Sequence, residues 1–358
     1  MQTTNTQKRD IKGISSLLAV LYTVFSCISI FVSVSGVSTS TLALSLLSGI
    51  PSMLVIMFFY YSFLMSLGEN INKGSYLIII PVLFAVFTGY IFSNAEITLS
   101  VLLDFISASV TAAVIACCSN KRESRAFACS VAALTLFAFF LLGVFISLLI
   151  LSVSNSISIG TLLFDGISDF IDVYIAIYND AASTIASMYA NTSENAVMLA
   201  NTEYLTRQLT SIIALSPALI YSFFFFTVFV FTYIADAICK RFNIAGEYSY
   251  KQYRVSGLTN FIFTVVGIIT MMSILFEENM SAFTCGALSV LITLLPHYII
   301  LGIRRIYSLF VKRFSKVASV ALIVIISAFG ISLSPALLIL VVLFFGTTEY
   351  RVSKNSLI

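Results

Sequence analysis

Apolar runs long enough to cross a lipid bilayer recur along almost the whole chain and leave few other folds open to it. A transmembrane helix needs about 20 apolar residues. Eight runs meet or approach that length: 14–34, 42–66, 76–93, 97–117, 126–151, 211–235, 257–276 and 282–303. Only 10% of the residues are charged, against roughly 25% in a soluble domain. The sequence predicts an all-α, polytopic bundle of transmembrane helices with eight spans.

A ninth apolar region, 317–346, is interrupted by the residues Gly330-Ile331-Ser332-Leu333-Ser334-Pro335. Proline lacks a backbone donor and disfavours helix at the residue before it. The region therefore forms either one long kinked span or a hairpin of two short helices. The side of the membrane that holds the C-terminus stays open between these alternatives.

Basic residues predict the orientation, because Lys and Arg collect in cytoplasmic loops. If the N-terminus is cytoplasmic, sixteen of the nineteen Lys and Arg residues fall in cytoplasmic segments. The segment 152–210 then lies outside the cell, with six acids against the single base Arg207. This topology divides the chain into a five-span half (1–151), an extracytoplasmic acidic segment (152–210) and a C-terminal membrane half (211–358).

The extracytoplasmic segment contains an amphipathic helical pattern. Its apolar members recur at three- and four-residue spacing, with acids on the other faces: Ile167, Phe170, Ile171, Tyr174 and Tyr178. A break is predicted at Asn191-Thr192-Ser193, before a second helical stretch that leads into the next span. Such a segment either rests on the membrane surface or caps the bundle, or it acts as a lid over a cavity that opens outward.

Bases and apolar residues alternate at helical spacing in the cytoplasmic stretch 304–316. Arg304, Arg305, Lys312 and Arg313 are predicted to lie on an interfacial basic helix that meets anionic lipid. A cluster that merely sets the topology explains the same residues. A surface that docks a protein partner is the third interpretation.

Asp104 is the carboxylate placed well inside a predicted span, and an intramembrane acid is a candidate functional residue. Four-residue steps put it on one face with Ala108, Ala112 and Ala116, a stripe of small residues that lets another helix approach closely. Asp104 is therefore predicted to face protein or a cavity, as a site for a cation or as a protonated acid bonded to a neighbouring helix.

The single histidine, His297, follows Pro296 in the eighth span and shares a polar face with Thr293. Asn260 lies on a comparable face of the seventh span. If these two helices are antiparallel neighbours, Asn260 and His297 lie at similar depth near the cytoplasmic end. They are predicted either to form an interhelical hydrogen bond or to line a binding site.

Several function classes lack their motifs. There is no GxxxxGK[ST] phosphate loop, one histidine cannot form a paired-His metal site, and the cysteines lack CxxC spacing. Neither an enzyme, a metal, a cofactor nor a nucleic-acid partner is expected.

Two short stretches carry a resemblance to a known family. The chain reads Tyr250-Lys251-Gln252-Tyr253-Arg254-Val255 before the seventh span and Gly346-Thr347-Thr348-Glu349-Tyr350-Arg351 after the last apolar run. With the outer amphipathic segment, this layout resembles the YybS-like family of polytopic membrane proteins of Gram-positive bacteria. That family is distantly similar to substrate-binding components of energy-coupling-factor transporters, which implies transport, a cytoplasmic C-terminal arginine and the hairpin form of 317–346.

These observations predict a transport or substrate-binding component of the cell membrane that takes a small solute or ion through Asp104, Asn260, Thr293 and His297. The alternative is a scaffold or regulator that docks a partner through 304–316 or 152–208. The sequence does not indicate the ligand, the energy source or the oligomeric state.

Overall fold

The computed structural model describes residues 3–35, 50–68, 74–92, 95–188, 202–242, 244, 253–276, 281–333 and 335–355. This part of the chain is all-α, as predicted, and contains eleven α-helices and one short 3₁₀-helix, Ser75–Ile78. The α-helices are α1 (Thr3–Val34), α2 (Ile50–Leu67), α3 (Ile79–Phe92), α4 (Ala95–Asn120), α5 (Arg125–Asn155), α6 (Ile159–Met188), α7 (Thr202–Arg241), α8 (Gly257–Phe276), α9 (Ala282–Val311), α10 (Lys316–Leu333) and α11 (Pro335–Asn355).

Five of the described helices are long and apolar enough to cross a membrane by length and composition. They comprise Ile14–Val34, Ile97–Asn120, Arg125–Asn155, Leu209–Arg241 and Ala282–Val311. Shorter apolar segments of 10–17 residues lie in α2, α3, α8, α10 and α11. The class of fold is confirmed, whereas the count of eight spans stays a prediction.

The first four helices share an apolar core. Helix α2 packs against α1 and α4, and α3 packs against α1 and α4. Ala108, Ala112 and Ala116 of α4 are fully buried, so the predicted stripe of small residues does form a packed helix face. Tyr22 of α1 reaches Ser109 of α4 across this core, with 3.0 Å between the two hydroxyl oxygens.

The chain divides into two compact units. One unit comprises residues 1–139, 221–264 and 291–358, and the other comprises 140–220 and 265–290. Each unit therefore draws on both halves of the sequence. The polar cluster described below lies in the first unit, and the amphipathic helix α6 lies in the second.

The last apolar region forms two helices, α10 and α11, that contact each other. Glu349 of α11 accepts a 3.4 Å hydrogen bond from Nη1 of Arg305 on α9. A single straight helix would carry Glu349 about 50 Å beyond Lys316 at 1.5 Å per residue. The chain therefore turns back after α10, as the hairpin alternative requires.

Helix α9 crosses α11 at two glycines. A Cβ added at Gly302 would overlap the backbone carbonyl of Val342, and one added at Gly346 would overlap that of Tyr298. Because both obstacles are backbone atoms, no rotamer change relieves the overlap. The approach of the two helices depends on the missing side chains.

Two of the predicted helical segments fall in α6 and at the end of α9. The amphipathic helix is present as α6, while the predicted break at 191–193 lies outside the described residues. In the predicted basic helix at 304–316, residues up to Val311 continue α9, a turn follows, and α10 begins at Lys316. The interfacial position of these bases stays a prediction. The apolar pattern of the span runs on without a breaker, so the helix extends through Arg304 and Arg305.

Replacing Gly302 with alanine is expected to destabilise the protein by about 1–3 kcal/mol, because the new Cβ forces α9 and α11 apart. Gly286→Ala on the same helix is the matched control, since its Cβ would meet no atom within 4 Å. The control should be neutral or stabilising by up to about 1 kcal/mol. Thermal unfolding in detergent measures both, and equal midpoints for the two variants would contradict the close crossing.

Candidate functional site

A largely buried ion pair joins the start of α5 to the end of α7. The Arg125 guanidinium donates through Nη2 to Oδ2 of Asp236, and the side chains are 12% and 11% exposed. Tyr61 of α2 donates its hydroxyl hydrogen to Oδ1 of Asp236 over 2.9 Å. The guanidinium carbon also lies 4.0 Å from the ring centre of Tyr233. Both carboxylate oxygens are bonded, and the cation gains an aromatic contact.

Weaker polar contacts flank the ion pair. One turn into α5, Cys129 Sγ lies 3.8 Å from Thr232 Oγ1. Ser62 Oγ of α2 lies 3.5 Å from Cys239 Sγ. Because Arg125 pairs with Asp236 and Cys129 with Thr232, α5 and α7 run antiparallel here. The contacts join α2, α5 and α7 along about two turns.

His297 is the centre of a second group of contacts. Its side chain is buried, with Nε2 lying 3.2 Å from Ser130 Oγ and Nδ1 lying 2.8 Å from the Tyr253 hydroxyl. The edge of the Phe225 ring packs against the imidazole, with the ring centres 4.6 Å apart. The histidine thereby links α9 to α5, to α7 and to the segment that precedes α8.

The hydrogen-bond pattern assigns the tautomer of His297. Ser130 Oγ donates its hydrogen to the Ala126 carbonyl over 2.9 Å, so it accepts a hydrogen from Nε2. Nδ1 then carries no hydrogen and accepts from the Tyr253 hydroxyl. Burial raises the pKa of Tyr253, which keeps that phenol protonated and able to donate. With the imidazole neutral, both of its nitrogens are bonded in this assignment.

Aromatic rings connect the two groups of contacts. The ring centres of Tyr233 and Phe229 lie 4.8 Å apart, and those of Phe229 and Tyr253 lie 5.8 Å apart. Tyr253 in turn bonds to His297. The ion pair and the histidine therefore belong to one polar cluster, defined here as Tyr61, Arg125, Ser130, Tyr233, Asp236, Tyr253 and His297.

The predicted pairing of α8 with α9 is present, but with a different partner. The Tyr298 hydroxyl donates to Oδ1 of Asn260 over 3.0 Å, and the Tyr298 ring stacks on Phe263 with centres 3.9 Å apart. Successive helix residues point about 100° apart, so Tyr298 faces α8 while His297 faces α5 and Tyr253. Thr293 is half-buried, one turn before His297.

Asp104 lies apart from the polar cluster. Its side chain is exposed, although Ala108 one turn later is fully buried. Four residues rotate about 40° past a full helical turn. The buried stripe of alanines therefore turns gradually around α4, and Asp104 lies to one side of it. Asp104 is therefore not packed against protein among the described residues, and the prediction that it faces a cavity stays a prediction.

The predicted basic surface is only partly exposed. Arg304 donates to the Tyr253 carbonyl over 3.4 Å and Arg305 donates to Glu349. Lys312 and Arg313 are exposed in the turn after α9. Two of the four bases thus contribute to internal packing.

Sequence reasoning missed most of the polar cluster. The apolar run 211–235 ends one residue before Asp236, and Arg125 precedes the run 126–151, so neither residue lies inside a predicted span. A usable signal existed: an acid and a base flank two apolar runs, with small polar residues one turn further in at Cys129 and Thr232. That pattern predicts an ion pair only when α5 and α7 are known to be neighbours.

Comparisons with known proteins identify no relative. No family model matches the chain, and no curated protein or solved structure shows significant similarity to it. In the described part of the chain, no group of three or more His, Cys, Asp and Glu side chains could hold a metal ion. The polar cluster has to be interpreted from its own geometry.

Replacing Asp236 with asparagine is expected to cost about 3 kcal/mol of folding free energy, because it leaves the largely buried Arg125 charge without its counter-ion. The double variant Arg125→Gln/Asp236→Asn should recover most of that loss, since no buried charge remains. Thermal unfolding in detergent compares the two variants with Asp104→Asn, whose exposed side chain should tolerate the change. A double variant that is no more stable than Asp236→Asn would contradict a paired, buried charge.

Proposed function

We propose that this chain is an integral membrane component that transports or binds a small solute, and that the polar cluster anchors the solute. The observation that carries the proposal is the largely buried pair of Arg125 and Asp236, which lies in helices apolar enough to cross a membrane. Ionisable groups inside apolar membrane helices are costly, and they commonly mark substrate or ion pathways.

The composition of the polar cluster supports this role. A buried ion pair adds little stability over apolar residues of similar size, so packing does not by itself account for keeping it. The cluster offers an acid, a guanidinium, three phenols and an imidazole, which come from α2, α5, α7, α9 and the segment before α8. Such groups suit a polar solute that both donates and accepts hydrogen bonds.

The anchor in this proposal is Asp236, in place of the Asp104 expected from the sequence. Asp104 is exposed, whereas Asp236 is buried and bonded through both oxygens. His297 keeps its predicted role as a site residue, and Asn260 supports it by holding Tyr298. Membership of the YybS-like family also remains a prediction.

The positive-inside rule places the polar cluster near the cytoplasmic ends of its helices in this proposal. Lys121, Arg122, Lys240 and Arg241 adjoin the cluster in sequence, and bases of this kind collect on the cytoplasmic side. The solute would therefore meet the cluster at the inner end of its path.

A thermal-shift screen of purified protein tests the proposal, with vitamins, nucleosides, amino acids and divalent cations as probes. One class should raise the unfolding midpoint, because a ligand at 100 times its dissociation constant adds about 2.7 kcal/mol to the folded state. The shift should vanish in Arg125→Gln/Asp236→Asn and persist in Asp104→Asn. A shift lost in Asp104→Asn but kept in the double variant would reject the polar cluster as the anchor.

A scaffold or regulator is the second candidate, favoured by the exposure of Lys312 and Arg313 beside the apolar end of α9. In that case no probe should shift the midpoint of folded protein. Crosslinking to a partner should instead fall when Lys312 and Arg313 are both changed to glutamine. Arg304 and Arg305 are unsuitable for this test because their internal bonds would be lost as well.

A further inference from the structure

Helix α6 separates apolar and acidic side chains onto opposite sides. At about 100° per residue, its exposed large apolar side chains cover about half of the circumference: Leu163, Phe164, Ile167, Phe170, Val173, Tyr174 and Ile177. The opposite side carries Asp165, Asp169 and Asp172. This apolar face is far wider than the narrow seam by which two helices pair in a coiled coil.

The apolar face of α6 is uncovered. Phe164 is 73%, Phe170 55% and Ile177 63% exposed, and no residue from 151 to 177 is buried. Most of the stability of a helix in a folded protein comes from packing such a face. A helix of 30 residues with this much bare apolar surface requires an apolar surface outside the described residues.

The position of α6 specifies that surface. It begins at Ile159, directly after α5, which is apolar enough to cross a membrane and ends at Asn155. The second half of α5 exposes large apolar side chains in the same compact unit, among them Phe145, Leu149 and Val153. An exposed apolar surface thus continues from the end of a candidate span into α6.

We infer that α6 lies in the interfacial region of the bilayer, with its apolar face in the lipid, and that it favours neutral or zwitterionic headgroups. A wide apolar arc with Phe and Tyr matches a flat lipid surface. Residues 159–188 contain four aspartates and no Lys, Arg or His, so anionic headgroups would repel the helix.

The absence of tryptophan from the chain allows a clean test with single-tryptophan variants of the full-length protein. Phe170→Trp places the probe on the apolar face, and Ala176→Trp is the matched control on the exposed acidic side. Both are reconstituted into nanodiscs that hold one copy of the chain and contain brominated phosphatidylcholine. Equal unfolding midpoints establish that both variants fold.

Quenching of Phe170→Trp is expected to exceed that of Ala176→Trp several-fold, because the apolar face should lie about 5–10 Å into the boundary between headgroups and acyl chains. Replacing part of the lipid with brominated phosphatidylglycerol, at constant bromine content, should lower the difference. Equal quenching of the two variants would overturn the inference, whether protein or water covers Phe170. If quenching of Phe170→Trp were lower in discs that hold two copies than in discs that hold one, the apolar face would be assigned to contact with a second copy of the chain.

A difference that stayed unchanged in phosphatidylglycerol would reject the headgroup preference. The solute screen does not report on α6, so failure of this inference and failure of the proposed function are separate results.

Discussion

An unpaired charge cannot remain in the apolar interior of a helix bundle, and the Arg125–Asp236 pair meets that constraint in this protein. Each partner neutralises the other, Tyr61 bonds the second carboxylate oxygen, and the Tyr233 ring covers the guanidinium. The pairing sets the register of α5 against α7 and connects both to α2. Moving either helix by one turn would separate the two charges, so the pair fixes this register.

The histidine contacts extend the same principle to neutral groups. His297, Tyr253 and Ser130 form a chain in which each hydrogen has one acceptor, ending at the Ala126 carbonyl. Arg304 holds the backbone of Tyr253 in turn. The segment before α8 is thereby bonded to α9 and α5, so a substitution at His297 would also alter the contacts at the start of α8. The Phe229 ring lies between Tyr233 and Tyr253, so a solute bound beside the ion pair would also lie near these hydrogen bonds.

The close approach of helix backbones is the second feature that stabilises the fold. Buried alanines on α4 and glycines at the crossing of α9 with α11 let helices meet without large side chains between them. Helix α6 shows the contrary case, because its apolar side chains are large and uncovered. Small buried residues hold helices to each other, whereas wide exposed apolar faces suit lipid.

The sequence by itself determined that the chain is all-α with long apolar helices, that α6 is amphipathic and that His297 lies on an inward polar face. These features depend on periodicity and composition along one helix, which neighbouring residues suffice to specify. Only the tertiary structure decided that Asp236, rather than Asp104, is the buried acid, and that Tyr298 is the partner of Asn260. Those outcomes depend on which helices are neighbours and how each is rotated, and a rotation of about 40° is enough to expose one side chain and bury the next.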